Sequence, residues 1–289
     1  MQIGCHGLVW TGSNDPESFE EAVTKTLAAG FDLFEMALFD PETFDVGAAR
    51  EILAKHPVAV SASMGQARDS DPNSEDPAKV RAAEKKLIAA IDVLEALGST
   101  YFVGALYSEL RKFMAPATAT ARANAVGVIR TAADRAADAG ITLGMEVINR
   151  YETNLFNTGR GALKFLDEVD RPNVGVHLDT YHMNIEESDM VQPVEDCIDR
   201  LVYVHVGESH RGYLGSGNVD FDNFFKALVR SGYDGPVTFE SFSSAVVHPE
   251  LSGMLGIWRN LWEDSEDLGA HANAFIRGRL RAAQTIGMH

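Results

Sequence analysis

The chain has 289 residues, 45% of them hydrophobic, and a formal charge of −17 from 25 basic and 42 acidic side chains. That length and apolar content match a single α/β barrel of roughly 250 residues better than two joined domains. The acid excess argues against a nucleic-acid groove, which needs a basic footprint; it fits neutral small molecules or cations as ligands, and over most of the surface it serves solubility.

Cys5 and Cys197 are the only cysteines and lie far apart, so neither a disulfide framework nor a CxxC metal site is indicated, and a reducing cytoplasm follows. The opening MQIGCHGLVW lacks a basic leader with a long apolar segment, and no run of 18 apolar residues occurs anywhere, so no membrane partner is expected.

In chain order, a recurring mark divides the sequence. Ala28-Ala29-Gly30-Phe31, Ala96-Leu97-Gly98-Ser99, Asp138-Ala139-Gly140-Ile141 and Arg230-Ser231-Gly232-Tyr233 each place glycine after an amphipathic run and before an apolar one. Glycine accepts the left-handed helix stop, so each mark reads as a helix end followed by a strand. The strands expected are Ile3–Cys5, Leu33–Ala37, Val58–Ala62, Tyr101–Val103, Leu143–Glu146, Val174–Asp179, Leu201–His205 and Val237–Glu240. Helices are expected near Ser18–Ala29, Val46–Lys55, Ala78–Leu97, Thr120–Ala139, Gly161–Val169, Pro193–Ile198, Phe221–Arg230 and His271–Ile286, the first announced by the cap and proline of Asp15-Pro16-Glu17. Eight alternating units predict a closed parallel sheet, a single (β/α)8 TIM barrel over residues 1–289 with an additional C-terminal segment around 251–289. An open doubly wound sheet is the structural alternative, but no GxGxxG follows the first strand.

Two stretches stand apart. Gln66–Pro77 is polar with two prolines and reads as an extended loop after the third strand, either a solvated linker or a flap over the barrel mouth. Leu251–Trp262 sets two tryptophans in an apolar run and reads as a packing or subunit-contact surface rather than a cofactor box.

The chemistry gathers at strand ends. Glu146, Asp179, His205 and Glu240 each close an apolar run, at separations of 33, 26 and 35 residues, which are the spacings of successive βα units. Strand ends where loops begin are where barrel active sites sit. Side chains alternate along a strand, so Thr142, Gly144 and Glu146 share one face of the fifth strand and Gly175, His177 and Asp179 one face of the sixth, and small residues beneath an acid suit a crowded barrel interior. Singly, each residue has a simpler explanation: a helix cap for Asp179, a hydrogen-bonded core histidine for His205, half an ion pair for either glutamate. Jointly, three carboxylates and one imidazole make a divalent metal the better reading, with manganese favoured over magnesium or cobalt, and zinc disfavoured for want of sulfur and nitrogen.

The segments EVINRYETN, HLDTYHMNIEE, HVGESHRG and VTFESFSS resemble the signature of the ketose 3-epimerases of the xylose-isomerase-like barrel superfamily, which act on D-tagatose, D-allulose and L-ribulose. IGCHGLVWTG and GIWRNLWED are similar to its D-allulose/L-ribulose branch, so the likeness runs nearly end to end. The resemblance implies a metal-dependent enzyme inverting C3 of free ketoses, with Glu146, Asp179, His205 and Glu240 as ligands and Glu146 and Glu240 as the paired acid and base. It also implies that Glu152, His182 and Arg211 bind the O1–O3 end of the sugar, that His6 and Gly65 line the pocket, and that the chain forms a homo-oligomer, a dimer or tetramer. The family often covers the far end of the sugar with a tryptophan after the fourth strand; SELRKFMAP has none, and Phe113 is the substitute it offers.

Physical logic supports the same reading. Inverting a carbon beside a ketone takes a proton from one face and returns one to the other, so two bases must flank it, and a cation stabilises the enediolate between the two events. The competing readings are an aldose–ketose isomerase acting on C1 and C2, a metal-dependent phosphodiesterase or abasic-site nuclease, and a non-catalytic sugar-binding protein. The charge opposes the second, and the third has no use for two opposed glutamates. A sugar phosphate is disfavoured because no glycine-rich phosphate cradle follows the seventh or eighth strand.

Overall fold

The computed structural model describes residues 1–286; the last three residues of the expected 251–289 segment lie outside it. Eight strands form a closed barrel: β1 (Ile3–His6), β2 (Leu33–Ala37), β3 (Ala59–Ser63), β4 (Tyr101–Gly104), β5 (Thr142–Glu146), β6 (Val174–Asp179), β7 (Leu201–Val206) and β8 (Val237–Phe239). Every neighbouring pair is parallel, and β8 returns to pair with β1 through Ile3 with Val237, Gly4 with Thr238 and Cys5 with Phe239. All eight expected strands are present. The last ends one residue early, so Glu240 stands just past β8, its amide still donating to the Val206 carbonyl at 3.1 Å.

The helices are α1 (Pro16–Ala28), α2 (Val46–Lys55), α3 (Pro77–Leu97), α4 (Ala119–Asp138), α5 (Gly159–Val169), α6 (Thr180–Glu186), α7 (Gln192–Cys197), α8 (Phe221–Arg230), α9 (Pro249–Leu255) and α10 (Ser265–Ile286). Sequence reasoning placed seven of these near their observed bounds, and the eighth, expected near His271–Ile286, begins six residues earlier at Ser265. Their starts are written in short polar side chains: Asp15 accepts from the Ser18 amide, Thr118 from Ala121 and Asp220 from Asn223, each satisfying an amide that the first helical turn leaves free. The four punctuating glycines, Gly30, Gly98, Gly140 and Gly232, all have positive φ, between 69° and 80°. Two short helices were not expected. Asp179 caps α6 by accepting from the Tyr181 amide at 2.8 Å, and α9 begins at Pro249 and stops at Gly256 inside the stretch read as an apolar run.

The long polar loop 66–77 packs partly inward, and Gln66 and Ala67 stand on the wall of the cavity at the barrel mouth. Gln66, Ser70, Asp71 and Asn73 are buried. The Asp71 carboxylate accepts from the amides of Asn73 and Glu109, both at 2.9 Å, and the Asn73 amide group donates to Asn154 Oδ1 at 2.7 Å. Its polar residues satisfy the loops that follow β4 and β5, which is why so hydrophilic a stretch packs inward. The Leu251–Trp262 run also divides: Trp262 is buried and donates to Ser241 Oγ at 2.9 Å, whereas Trp258 is 78% exposed.

The barrel interior is tight and partly polar. A Cβ added at Gly144 would meet Val103 at 2.8 Å and His177 at 3.3 Å, so the small residue beneath Glu146 is sterically required. Tyr203, Ser61, Thr238 and Glu35 are all buried in this interior, directly below the strand ends.

Candidate active site

A cavity of about 710 Å³ opens at the C-terminal ends of the strands. That is within the usual range for small-molecule sites. Its wall includes His6, Gly65, Glu146, Glu152, His182, Arg211 and Glu240; Asp179 and His205 are fully buried at its floor. All nine residues expected from sequence therefore converge on one place.

At the floor, Glu146, Asp179, His205 and Glu240 each offer a donor atom, all within 4.8 Å of one another. His205 Nδ1 lies 3.7 Å from Glu146 Oε1 and 3.4 Å from Glu240 Oε2. Among the described residues, His205 Nδ1, Asp179 Oδ2 and Glu240 Oε2 have no hydrogen-bond partner although all are buried. Buried polar atoms without an aligned hydrogen bond are costly, and three oxygen or nitrogen donors facing one point are the arrangement a divalent cation relieves. The donor set therefore fits a divalent metal. Asp179 does both things its sequence allowed, one oxygen capping α6 and the other facing the cluster.

The charges are arranged asymmetrically. Burial pushes the Glu146 carboxyl up to about 7, against the pull of His205. Burial also opposes charge on Glu240, but Arg211 and His205 outweigh it and hold that carboxyl well below the usual range. Arg211 Nη1 stands 2.7 Å from Glu240 Oε2 and 2.9 Å from Asp179 Oδ2, an ion pair without aligned hydrogen bonds. Its guanidinium lies 4.0 Å over the Tyr181 ring, and its backbone takes a positive φ of 61°, an unusual conformation for a non-glycine residue.

The remaining wall residues are fixed by their neighbours. Asn149 donates its backbone amide to His182 Nδ1 at 3.2 Å, which leaves Nε2 facing Glu146 and Asp179 at 3.6 Å each. Burial lowers the His182 imidazole to about 4, so it is neutral near pH 7. Glu152 accepts from the Asn149 side chain at 2.7 Å. His6 Nε2 meets Ser63 Oγ at 2.9 Å and lies 3.9 Å from Glu240 Oε1. Gly65 is where the wall closes on Leu110, whose Cδ1 would be 2.3 Å from any Cβ there.

The outer cavity is apolar, with Phe39, Leu110, Met254, Leu255, Ile257 and Trp258 around it. Phe113 does not take the covering position: among the described residues it is absent from the wall, and Arg111 stacks over its ring at 3.7 Å instead. The 251–262 stretch, expected as a contact surface, supplies much of this outer wall.

Sequence reasoning gave no role to Glu35, His177 or Tyr203. Glu35 is fully buried and meets His205 Nε2 at 2.9 Å through both oxygens. His177 is buried with its ring 4.2 Å from that of His205, and among the described residues neither of its nitrogens is paired. The available signal for Glu35 was a lone acid in the middle of the apolar strand Leu33-Phe34-Glu35-Met36-Ala37.

An eight-stranded parallel barrel with a carboxylate-rich cluster at its C-terminal mouth defines a class, and the family described as Xylose isomerase-like TIM barrel matches residues 23–275. Within that class the chain belongs to the ketose 3-epimerases. It is 61% identical over 289 residues, 100% of both chains, to a ketose 3-epimerase of Arthrobacter globiformis. It is 49% identical to an L-ribulose 3-epimerase of Methylomonas sp. (strain DH-1), covering 96% of this chain and 98% of that one. A crystal structure of a D-allulose 3-epimerase from Methylomonas sp. in complex with D-allulose superposes with a TM-score of 0.95 at 49% identity, over 96% of this chain and 97% of the other.

Proposed function

We propose that the chain inverts C3 of free ketoses such as D-allulose and L-ribulose, with Glu146 and Glu240 exchanging the proton. The observation that carries this is the convergence of the Glu146 and Glu240 carboxylates on one point at the cavity floor, 3.7 and 3.4 Å from His205 Nδ1. Two carboxylates within reach of one bound substrate are what exchange of a proton between two faces requires.

The C3 hydrogen of a ketose is acidified by the C2 carbonyl. One glutamate removes it from one face, and the other returns a proton from the opposite face; direction decides which acts first. Glu146, Asp179, His205 and Glu240 would hold a divalent cation, manganese by the balance of three carboxylates and one imidazole with magnesium or cobalt as alternatives, supplying Lewis-acid stabilisation of the negative charge that develops. Arg211 and the Nε2–H of His182 donate toward the substrate oxygens on which that charge collects. Glu152 accepts from a hydroxyl, and His6 and Gly65 shape the wall.

We further propose a one-domain chain acting as a homo-oligomer, dimer or tetramer, in the cytoplasm; the two free, buried cysteines accord with a reducing compartment. Among the described residues no helix is long and apolar enough to cross a membrane.

The test is proton exchange in D2O. Turnover of D-allulose or L-ribulose should place deuterium at C3 of the ketose product. Label at C1 or C2, with an aldose product, would mark a C1/C2 isomerase and overturn the assignment. Glu240→Gln should lower turnover by about 10²–10⁴-fold while Mn2+ still binds, since positioned proton transfer contributes about that much.

A further inference from the structure

The floor beneath the ligand cluster is organised around one carboxylate. Glu35 sits in the middle of β2 on the face that looks into the barrel, because it alternates with Leu33, which packs inside against Val103 and Tyr203. It has no solvent exposure. Its hydrogen-bond partners are both donors: the Tyr203 hydroxyl reaches Oε2 at 2.8 Å, and His205 Nε2 lies 2.9 Å from each oxygen. The hydroxyls of Ser61 and Thr238, each 2.8 Å from the Tyr203 oxygen, complete the set by donating to it. A carboxylate accepts only, so the Nε2 position of His205 must carry its proton, and Nδ1 is the nitrogen left facing Glu146, Asp179 and Glu240.

We propose that Glu35 is a positioning residue for cation binding: it fixes the orientation and tautomer of His205 so that Nδ1 is presented as a ligand, and its charge strengthens that nitrogen as a donor. This rests on the reading of Glu146, Asp179, His205 and Glu240 as the ligand set. Carboxylates behind ligating histidines are worth about 10–100-fold in metal affinity.

The experiment measures Mn2+ affinity calorimetrically in chelator-stripped protein and its variants, without recourse to turnover. Glu35→Met, similar in length but unable to accept, should weaken Mn2+ binding about 10–100-fold. Glu35→Gln, which keeps an acceptor oxygen but not the charge, should weaken it less, and it serves if the Met variant does not fold. Tyr203→Phe removes the other donor to Glu35 and should lower thermal stability while leaving affinity within about threefold. The second readout is the proton spectrum of the diamagnetic Mg2+-loaded protein, where the His205 Nε2–H should give a downfield, slowly exchanging resonance that Glu35→Gln keeps and Glu35→Met loses.

Wild-type affinity in Glu35→Met would overturn the proposal alone. An equal loss in Tyr203→Phe would also overturn it, by showing that any disturbance of the floor suffices. Failure of the wild type to bind Mn2+, or binding undiminished in His205→Gln, would overturn the ligand set and the proposal together.

Discussion

Gly104, at the end of β4, is a position where no other residue fits. Its φ is 111°, and a Cβ would lie 2.6 Å from the Met64 carbonyl oxygen, so both the backbone conformation and the space exclude a side chain. Gly104→Ala should cost about 1–3 kcal/mol in chemical denaturation, the usual range for a residue forced into such a conformation. Asp15 gives a pH-dependent counterpart. Its hydrogen bonds to Ser13 and to the Ser18 amide and hydroxyl lower its pKa to about 2, against about 3.9 in an unfolded chain. A carboxyl lowered on folding stabilises above its unfolded pKa and loses that effect as pH falls toward its folded one. Asp15→Ala should therefore destabilise by about 1 kcal/mol at pH 7, with the gap to wild type narrowing from pH 5 to pH 3 in denaturation curves. At this scale the sequence disclosed residues that end strands. Glu146, Asp179, His205 and Glu240 each follow an apolar run and so announce where a chain leaves the sheet. Glu35 lies inside a strand, where nothing local says which face looks inward until closure of the barrel decides it; His177 shares the face of Asp179 by alternation, but nothing local gives it a role.

Among the elements, the 207–219 loop after β7 shows how an irregular segment is made rigid enough to carry a site residue. The buried Glu208 carboxylate accepts from the amides of Ser209 at 2.8 Å, Gly215 at 2.9 Å and Val219 at 3.3 Å, and its own carbonyl accepts from the Arg211 amide at 2.8 Å. Glu208→Ala would leave the Ser209, Gly215 and Val219 amides without their carboxylate acceptor, at a cost of about 1–3 kcal/mol for each that stays buried. Arg211 would then lose its fixed approach to Glu240. We predict a fall in kcat/KM of about 10–100-fold for D-allulose, borne more by KM than by kcat, in steady-state assays; an unchanged KM would show that the loop holds its shape by other means. Helices that face the barrel over several turns were readable because glycine stops and polar caps delimit them. Helices α6 and α9 were not: α6 starts on the residue after β6 with no break between them, and α9 starts two residues ahead of a stretch whose composition reads as one apolar run. The inward packing of the 66–77 loop was not legible because part of its polarity is matched to buried backbone amides rather than to water.

For the molecule as a whole, the closed barrel brings together the proposed ligands, spread over 95 residues of sequence from Glu146 to Glu240. Three buried carboxylates at one point repel each other, so the cation proposed to bind there would stabilise the fold as well as the reaction. Removing it with a chelator should lower the melting temperature by several degrees and abolish turnover, and readdition of Mn2+ should restore both; ligand binding to the native state alone is worth about 4 kcal/mol at 1,000 times Kd. Barrel closure was legible from eight repeated units, whereas the apolar outer wall was not, because residues 39, 110 and 254–258 meet only after the chain has gone round. That wall ends in a spectroscopic opportunity. Of the three tryptophans, Trp10 and Trp262 are 4% and 5% exposed, and Trp258 is 78% exposed at the cavity mouth. The red-edge emission of the unlabelled protein therefore comes from a single indole: a change on adding sugar at fixed protein concentration reports entry into the cavity, and a blue shift on concentrating the protein without sugar reports association of subunits over its mouth.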